Sequence, residues 1–150
     1  MNLSLELYEG STMTRELYGL TNFFKNYTKE KWGEYWQIKV PLVYWLDKLR
    51  EHVGKPVIIH NAYSTDGHAE NSYHYRGLAV DFHVKGMSPV ELFFQILKFP
   101  FQGVGLYRWG CHTDLRSSGI KKLWRRKNGV YYNIRCLEGI SDEIYSTNTG

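Results

Sequence analysis

The apolar positions change period along the chain, and each change marks an element. Ile38, Leu42, Trp45, Leu46, Leu49 and Val53 recur at helical spacing, with Pro41 near the start and Gly54 just past the end. That stripe predicts an amphipathic helix with its apolar face in the core. Val57, Ile58 and Ile59 predict a short buried strand, followed by a polar loop from Asn61 to Asn71 that ends at Ser72. From Gly77 to Val84 the period drops to two. Leu78, Val80, Phe82 and Val84 then share a core face, while Gly77, Ala79, Asp81 and His83 share the other. Ser88-Pro89-Val90-Glu91 is a capping box with proline at the first helical position. It predicts a helix through about Lys98 that buries Leu92, Phe93, Ile96 and Leu97, stopped by Pro100.

Two hairpins follow. Gly103 to Tyr107 predicts one strand, Arg108-Trp109-Gly110 the turn region, and Cys111 to Arg116 the return strand. His112, Asp114 and Arg116 then share a face, opposite Cys111, Thr113 and Leu115. Lys127-Asn128-Gly129-Val130 is a hairpin-turn signal between Leu123-Trp124 and Tyr131-Tyr132. Upstream, residues 14 to about 26 predict a short helix around Leu17, Leu20, Phe23 and Phe24. Residues 1 to 13 show no periodicity, and the polar tail after Ile140 is expected to fray. Predicted helices, short strands and hairpins thus follow one another along the chain. It forms one domain over residues 1–150, with its core at about 14–140, a length that suits a single domain.

Composition narrows the class. Hydrophobic residues at 43% and aromatics at 16% exclude a disordered chain. The net charge of +4 points to an acidic partner, such as anionic cell-wall polymers or nucleic acid. Lys121, Lys122, Arg125, Arg126 and Lys127 concentrate that charge around Trp124. The run reads as a solvated hairpin face rather than a nucleic-acid surface. Cys111 and Cys136 read as free thiols. No apolar stretch reaches the ~18 residues of a membrane span, and the N-terminus lacks a basic segment followed by an apolar one. A cytoplasmic site of synthesis is therefore expected.

The chemistry concentrates in two segments. His74, Asp81 and His112 supply two imidazoles and a carboxylate, a donor set that suits one zinc ion (Zn2+) and leaves a position for water. Gly77 and Ala79 leave room beside the carboxylate, and Gly77 permits the turn that brings His74 back towards Asp81. Zinc lowers the pKa of water to about 7 and makes a nucleophile at neutral pH, which points to a hydrolase. Asp114, two residues from His112 on the same face, is the first choice for general base. An equal reading makes it a carboxylate that orients His112. His83 comes next, while His60 and His68 read as ordinary polar loop residues. Arg116 or Arg76 supplies positive charge to a substrate.

The stretch Ser72-x-His74-x-x-Gly77-x-Ala79-x-Asp81 is followed by an apolar helix and then by Gly103-x-Gly105-x-Tyr107…His112-x-Asp114-x-Arg116. This arrangement resembles the zinc D-alanyl-D-alanine carboxypeptidase family, which also contains phage and bacterial L-alanyl-D-glutamate endopeptidases. The likeness covers roughly residues 38 to 125. It implies the small α+β fold shared with the hedgehog signalling domain, an antiparallel sheet that carries the zinc site and packs against helices, with His74, Asp81 and His112 as zinc ligands and Ser72 at the rim of the substrate cleft. It also implies a peptidase acting on peptidoglycan peptides, a phage or prophage lysin that acts at the cell wall after release or within a virion. Two positions depart from the pattern. Trp109 stands three residues before the last ligand, where many members carry an acidic base, and Ser64 stands where an arginine is common. The Trp109 departure supports an alternative from another class, a catalytically silent zinc domain used for recognition or particle assembly.

Overall fold

Pro41 lies in the first turn of helix α1 (Val40–Val53), where its missing N–H has no intrahelical partner to lose. Gly54 ends the helix in the left-handed conformation at φ 67°, and its N–H donates to the Arg50 carbonyl at 3.1 Å. These features come from a computed structural model, which describes residues 37–138 and residue 140. The expected helix at 14–26 and the expected frayed tail lie outside the described residues.

After α1 come β1 (Val57–Asn61), a 3-10 turn (Tyr73–Arg76), β2 (Ala79–Val84), helix α2 (Pro89–Ile96), β3 (Gly103–Leu106), β4 (Cys111–Asp114), β5 (Lys122–Lys127) and β6 (Val130–Asn133). The capping box closes as expected. Ser88 Oγ accepts from Glu91 N, and Glu91 Oε2 accepts from Ser88 N, each at 3.1 Å. At the last hairpin Asn128 (φ 50°) and Gly129 (φ 78°) form the two left-handed positions of a primed turn.

The six strands form one sheet in the order β1-β2-β4-β3-β5-β6. The fold is α+β, as expected, but the sheet is antiparallel with one exception, the parallel pair β3–β5. The cause is topological. Once β2 occupies one edge of β4 and β3 the other, the chain leaving β4 must step over the start of β3 to find a free edge. The connection is tied at both sides of Gln102, whose N–H donates to the Asp114 carbonyl at 2.9 Å while its carbonyl accepts from Lys122 N at 2.7 Å.

The period-two pattern then gives the sheet two unlike faces. Val57, Ile59, Val80, Phe82, Val84, Val104, Leu106 and Cys111 join the apolar core with Leu42, Leu46 and Leu49 of α1 and Leu92, Phe93 and Ile96 of α2. Thr113 shares this core face, and its buried Oγ1 has no hydrogen-bond partner among the described residues. Asp81, His83, His112 and Asp114 point the other way.

Candidate metal centre

Each donor is placed by a local rule. Ser72 caps the 3-10 turn, its Oγ accepting from His74 N at 3.3 Å. Gly77 ends that turn at φ 67°, and a Cβ there would lie 1.8 Å from the Gln37 carbonyl oxygen, so only glycine fits. The turn buries His74, whose Nδ1–H donates to the Ala62 carbonyl at 2.7 Å. That bond leaves Nε2 facing Asp81, 3.2 Å from Oδ2. Asp81 and His112 are direct partners across β2 and β4, and His112 Nδ1 sits 2.8 Å from Asp81 Oδ1.

The donor atoms of His74, Asp81 and His112 all lie within 4.8 Å of one another. The set fits a zinc ion because each imidazole has its outer nitrogen committed to an acceptor and its inner nitrogen turned towards the carboxylate. Burial pushes the Asp81 carboxyl up, but hydrogen bonds from His112 and His74 outweigh it and hold the group well below the usual carboxylate range. Burial likewise pulls the His112 imidazole down, and Asp114 and Asp81 together raise it above the ordinary value.

Behind His112 lies a second layer. His112 Nε2 is 2.8 Å from Asp114 Oδ2, and Asp114 is fully buried. Arg116 grips the same carboxylate, Nε to Oδ1 at 2.8 Å and an NH2 group to Oδ2 at 2.5 Å, and its backbone N–H adds a bond at 3.2 Å. Burial opposes ionisation of Asp114, yet these bonds hold its carboxyl down at about 2. The Arg116 guanidinium is stacked between Tyr73 at 4.7 Å and Trp124 at 5.2 Å. Two glycines of β3 make the layer possible. A Cβ on Gly103 would lie 2.2 Å from Asp114 Oδ2, and one on Gly105 would lie 2.6 Å from the Trp124 indole.

A cleft of about 620 Å³ opens over the three donors. Ser72 and Arg116 are among the residues that line it. The structure brings His74, Asp81 and His112 together, but it puts Asp114 on the far side of His112 and outside the cleft lining. His83 also stands outside the lining, paired with His60 Nε2 through its Nδ1 at 2.6 Å. Arg76 turns into a separate hollow beside Lys39 and Leu115. Trp109 forms part of the rim, 46% exposed and packed against His60 and Tyr107.

Sequence reasoning missed two features. His68, read as an ordinary loop residue, stacks on His74 with ring centroids 4.1 Å apart and planes 13° from parallel. Burial, and then the neighbouring His74, lower its pKa below the ordinary value. Sequence distance hides this contact, because the loop is folded back by Tyr75, whose hydroxyl accepts from His68 N and donates to the His68 carbonyl, both at 2.9 Å. The second feature is the basic hairpin. Lys122, Trp124 and Arg126 line the cleft with Tyr131 and Asn133. Their alternate spacing on β5 was the available signal.

No helix among the described residues is long and apolar enough to cross a membrane. The family model described as Peptidase M15 matches residues 17–116, which is 100 of the 150 residues and includes the whole donor set. A search of curated proteins returns no match.

Proposed function

The chain belongs to the peptidase M15 family, a family of zinc peptidases acting on peptidoglycan-type substrates, and from that premise we propose that it hydrolyses peptidoglycan stem peptides. The bond is of the D-Ala-D-Ala carboxypeptidase or the L-Ala-D-Glu endopeptidase type. One observation carries the reading: His74, Asp81 and His112 converge at the floor of an open cleft, with both rings oriented by outer hydrogen bonds. His74, Asp81 and His112 would hold a zinc ion, which would supply Lewis acidity towards a peptide carbonyl and towards water.

The chain's own residues do the rest. Asp114, clamped by Arg116, fixes the ring orientation of His112 and keeps its Nδ1 aimed at Asp81. His68 lines the cleft beside His74, with the Asn61 amide at its Nε2, and we assign its ring the proton taken from the attacking water and passed to the leaving amine. Tyr73 and Trp124 hold the Arg116 guanidinium at the cleft wall, and Ser72 holds the turn that carries His74. The likeness to phage and bacterial endopeptidases supports a lysin that meets the wall after release or on a phage particle.

Digestion of purified peptidoglycan by the zinc-loaded protein, with mass spectrometry of the fragments and a chelated control, tests this. Chelator-sensitive fragments identify the bond from their masses. His68→Gln is expected to keep its zinc and lose roughly 10²–10⁴-fold in turnover. The rim position of Trp109 favours a second reading, a zinc domain that recognises wall peptides without cutting them. Intact sacculi alongside stoichiometric zinc decide for that reading.

A further inference from the structure

The basic hairpin is not a uniform solvated face. Its strands split their side chains between two sides, and one side is the cleft. Lys122, Trp124 and Arg126 alternate along β5 on the cleft side, with Tyr131 paired across from Arg126. Leu123 and Arg125 take the other side, Leu123 against the core and Arg125 over the Tyr132 ring.

The charges on this wall differ in what they already hold. Arg116 is spent on the buried Asp114, with which it forms two side-chain hydrogen bonds. Lys122 and Arg126 are exposed and form no ion pair with any carboxylate among the described residues. Arg126 is nevertheless held in place, its guanidinium 5.4 Å from the Tyr131 ring centroid. The acidic residues lining the cleft are Asp81, which the metal site uses, and Glu70 on the opposite loop. Unpaired cations on one wall of a cleft attract an anionic ligand and fix its direction. Four residue steps along the strand separate Lys122 from Arg126, roughly 13 Å, with the Trp124 indole between them as an apolar platform.

We propose that the β5 wall is a carboxylate-binding subsite, in which Lys122 and Arg126 hold carboxylates of an acidic peptide laid across Trp124. The inference rests on the peptidase reading for the substrate class, but the subsite binds whether or not the peptide is cut. A stem peptide offers two sources of this chemistry, its C-terminal carboxylate and the free carboxylate of its D-Glu residue.

The test is calorimetric titration of the zinc-loaded protein with a stem pentapeptide N-methylated at both candidate bonds, so that it is not cut. Parallel titrations use the C-terminal amide and the form amidated at the D-Glu carboxylate. Amidation at the held carboxylate is expected to weaken binding about fivefold, the factor for one solvent-exposed charge pair, and the arm that weakens names the source. Lys122→Gln and Arg126→Gln are each expected to lose a similar factor and to shrink the difference between acid and amide. On the cleavable peptide, the same variants are expected to raise KM and leave kcat unchanged. Equal binding of the acid and both amides by the unmodified protein overturns the subsite, even if hydrolysis is robust. Carboxylate-dependent binding without hydrolysis keeps the subsite and removes the peptidase reading.

Discussion

Replacing Asp114 by asparagine separates the two tasks a carboxylate can perform beside His112. The side chain is fully buried, accepts two side-chain bonds from Arg116, and lies 2.8 Å from His112 Nε2. Its carboxyl is held at about 2, against 3.8 for an ordinary aspartate. At about 1.4 kcal/mol per pKa unit, that depression is worth about 2 kcal/mol of stability. The folded pKa is the lower one, so the contribution is complete above pH 3.8 and disappears as the pH falls towards 2. Asparagine keeps the shape but returns no charge to Arg116. Urea unfolding of the chelated protein at pH 7 is expected to show a loss of about 2 kcal/mol, with Tm lower by about 4–8 °C. Zinc competition against a chromophoric chelator is expected to show affinity down about 10–100-fold, because His112 loses the partner that orients it. Unchanged zinc affinity with abolished hydrolysis refutes the orienting role and restores Asp114 as general base.

Further perturbations probe other links. Gly103→Ala places a methyl group where the Asp114 carboxylate lies, and is expected to cost about 1–3 kcal/mol and to weaken zinc binding, read by the same two assays. The rise in Tm caused by zinc is expected to grow from pH 5 to pH 8. In the metal-free protein His112 titrates above its ordinary 6.5, so protonation stabilises that form at low pH and the benefit is lost as pH rises through the folded value. A zinc-dependent shift that is flat across this range shows that His112 is not a ligand. A thiol reagent is expected to label the exposed Cys136 and leave Cys111, which is buried and whose pKa burial raises well above the ordinary value. Rapid labelling of both shows that the β3–β4 hairpin opens on the timescale of the reaction.

Much of this architecture is legible in the sequence because burial follows period. The alternation from Leu78 to Val84 assigns Asp81 to the open face before any coordinates, and Pro41, Gly54 and the capping box at Ser88 delimit the two described helices. What escapes the sequence depends on neighbours brought together by long-range pairing. The parallel pair β3–β5 follows from which sheet edges are already occupied, a property that local pattern does not encode. The stack of His68 on His74 depends on a loop folded by Tyr75. Asp114 is the instructive case. Its sequence position two residues from His112 served both roles equally, and only the direction of the two ring nitrogens distinguishes them.

The two faces of the sheet are coupled through register, and that coupling explains how a short chain positions a metal site. Phe82 is fully buried against the core and pairs with Cys111, which sets Asp81 opposite His112 one residue away. A slip of one residue would turn Phe82 to the cleft and Asp81 into the apolar layer under α2. Burying an unpaired carboxylate there costs several kcal/mol, and exposing Phe82 forfeits a further 1.5–3 kcal/mol or about that. The core therefore holds the donor geometry without needing the metal to select it. On the open face the same register sets Gly105 beside both His112 and Trp124, and Gly103 beside both Asp114 and Lys122. The small residues of β3 are thus the space into which the neighbouring strands lean. Because β5 pairs with β3 in parallel, that space also carries the cationic wall to the edge of the metal site. Asp81 on β2, His112 and Asp114 on β4, the glycines of β3 and the cationic wall on β5 thus stand on consecutive strands of one register, so a change that shifts β3 is expected to disturb all of them together.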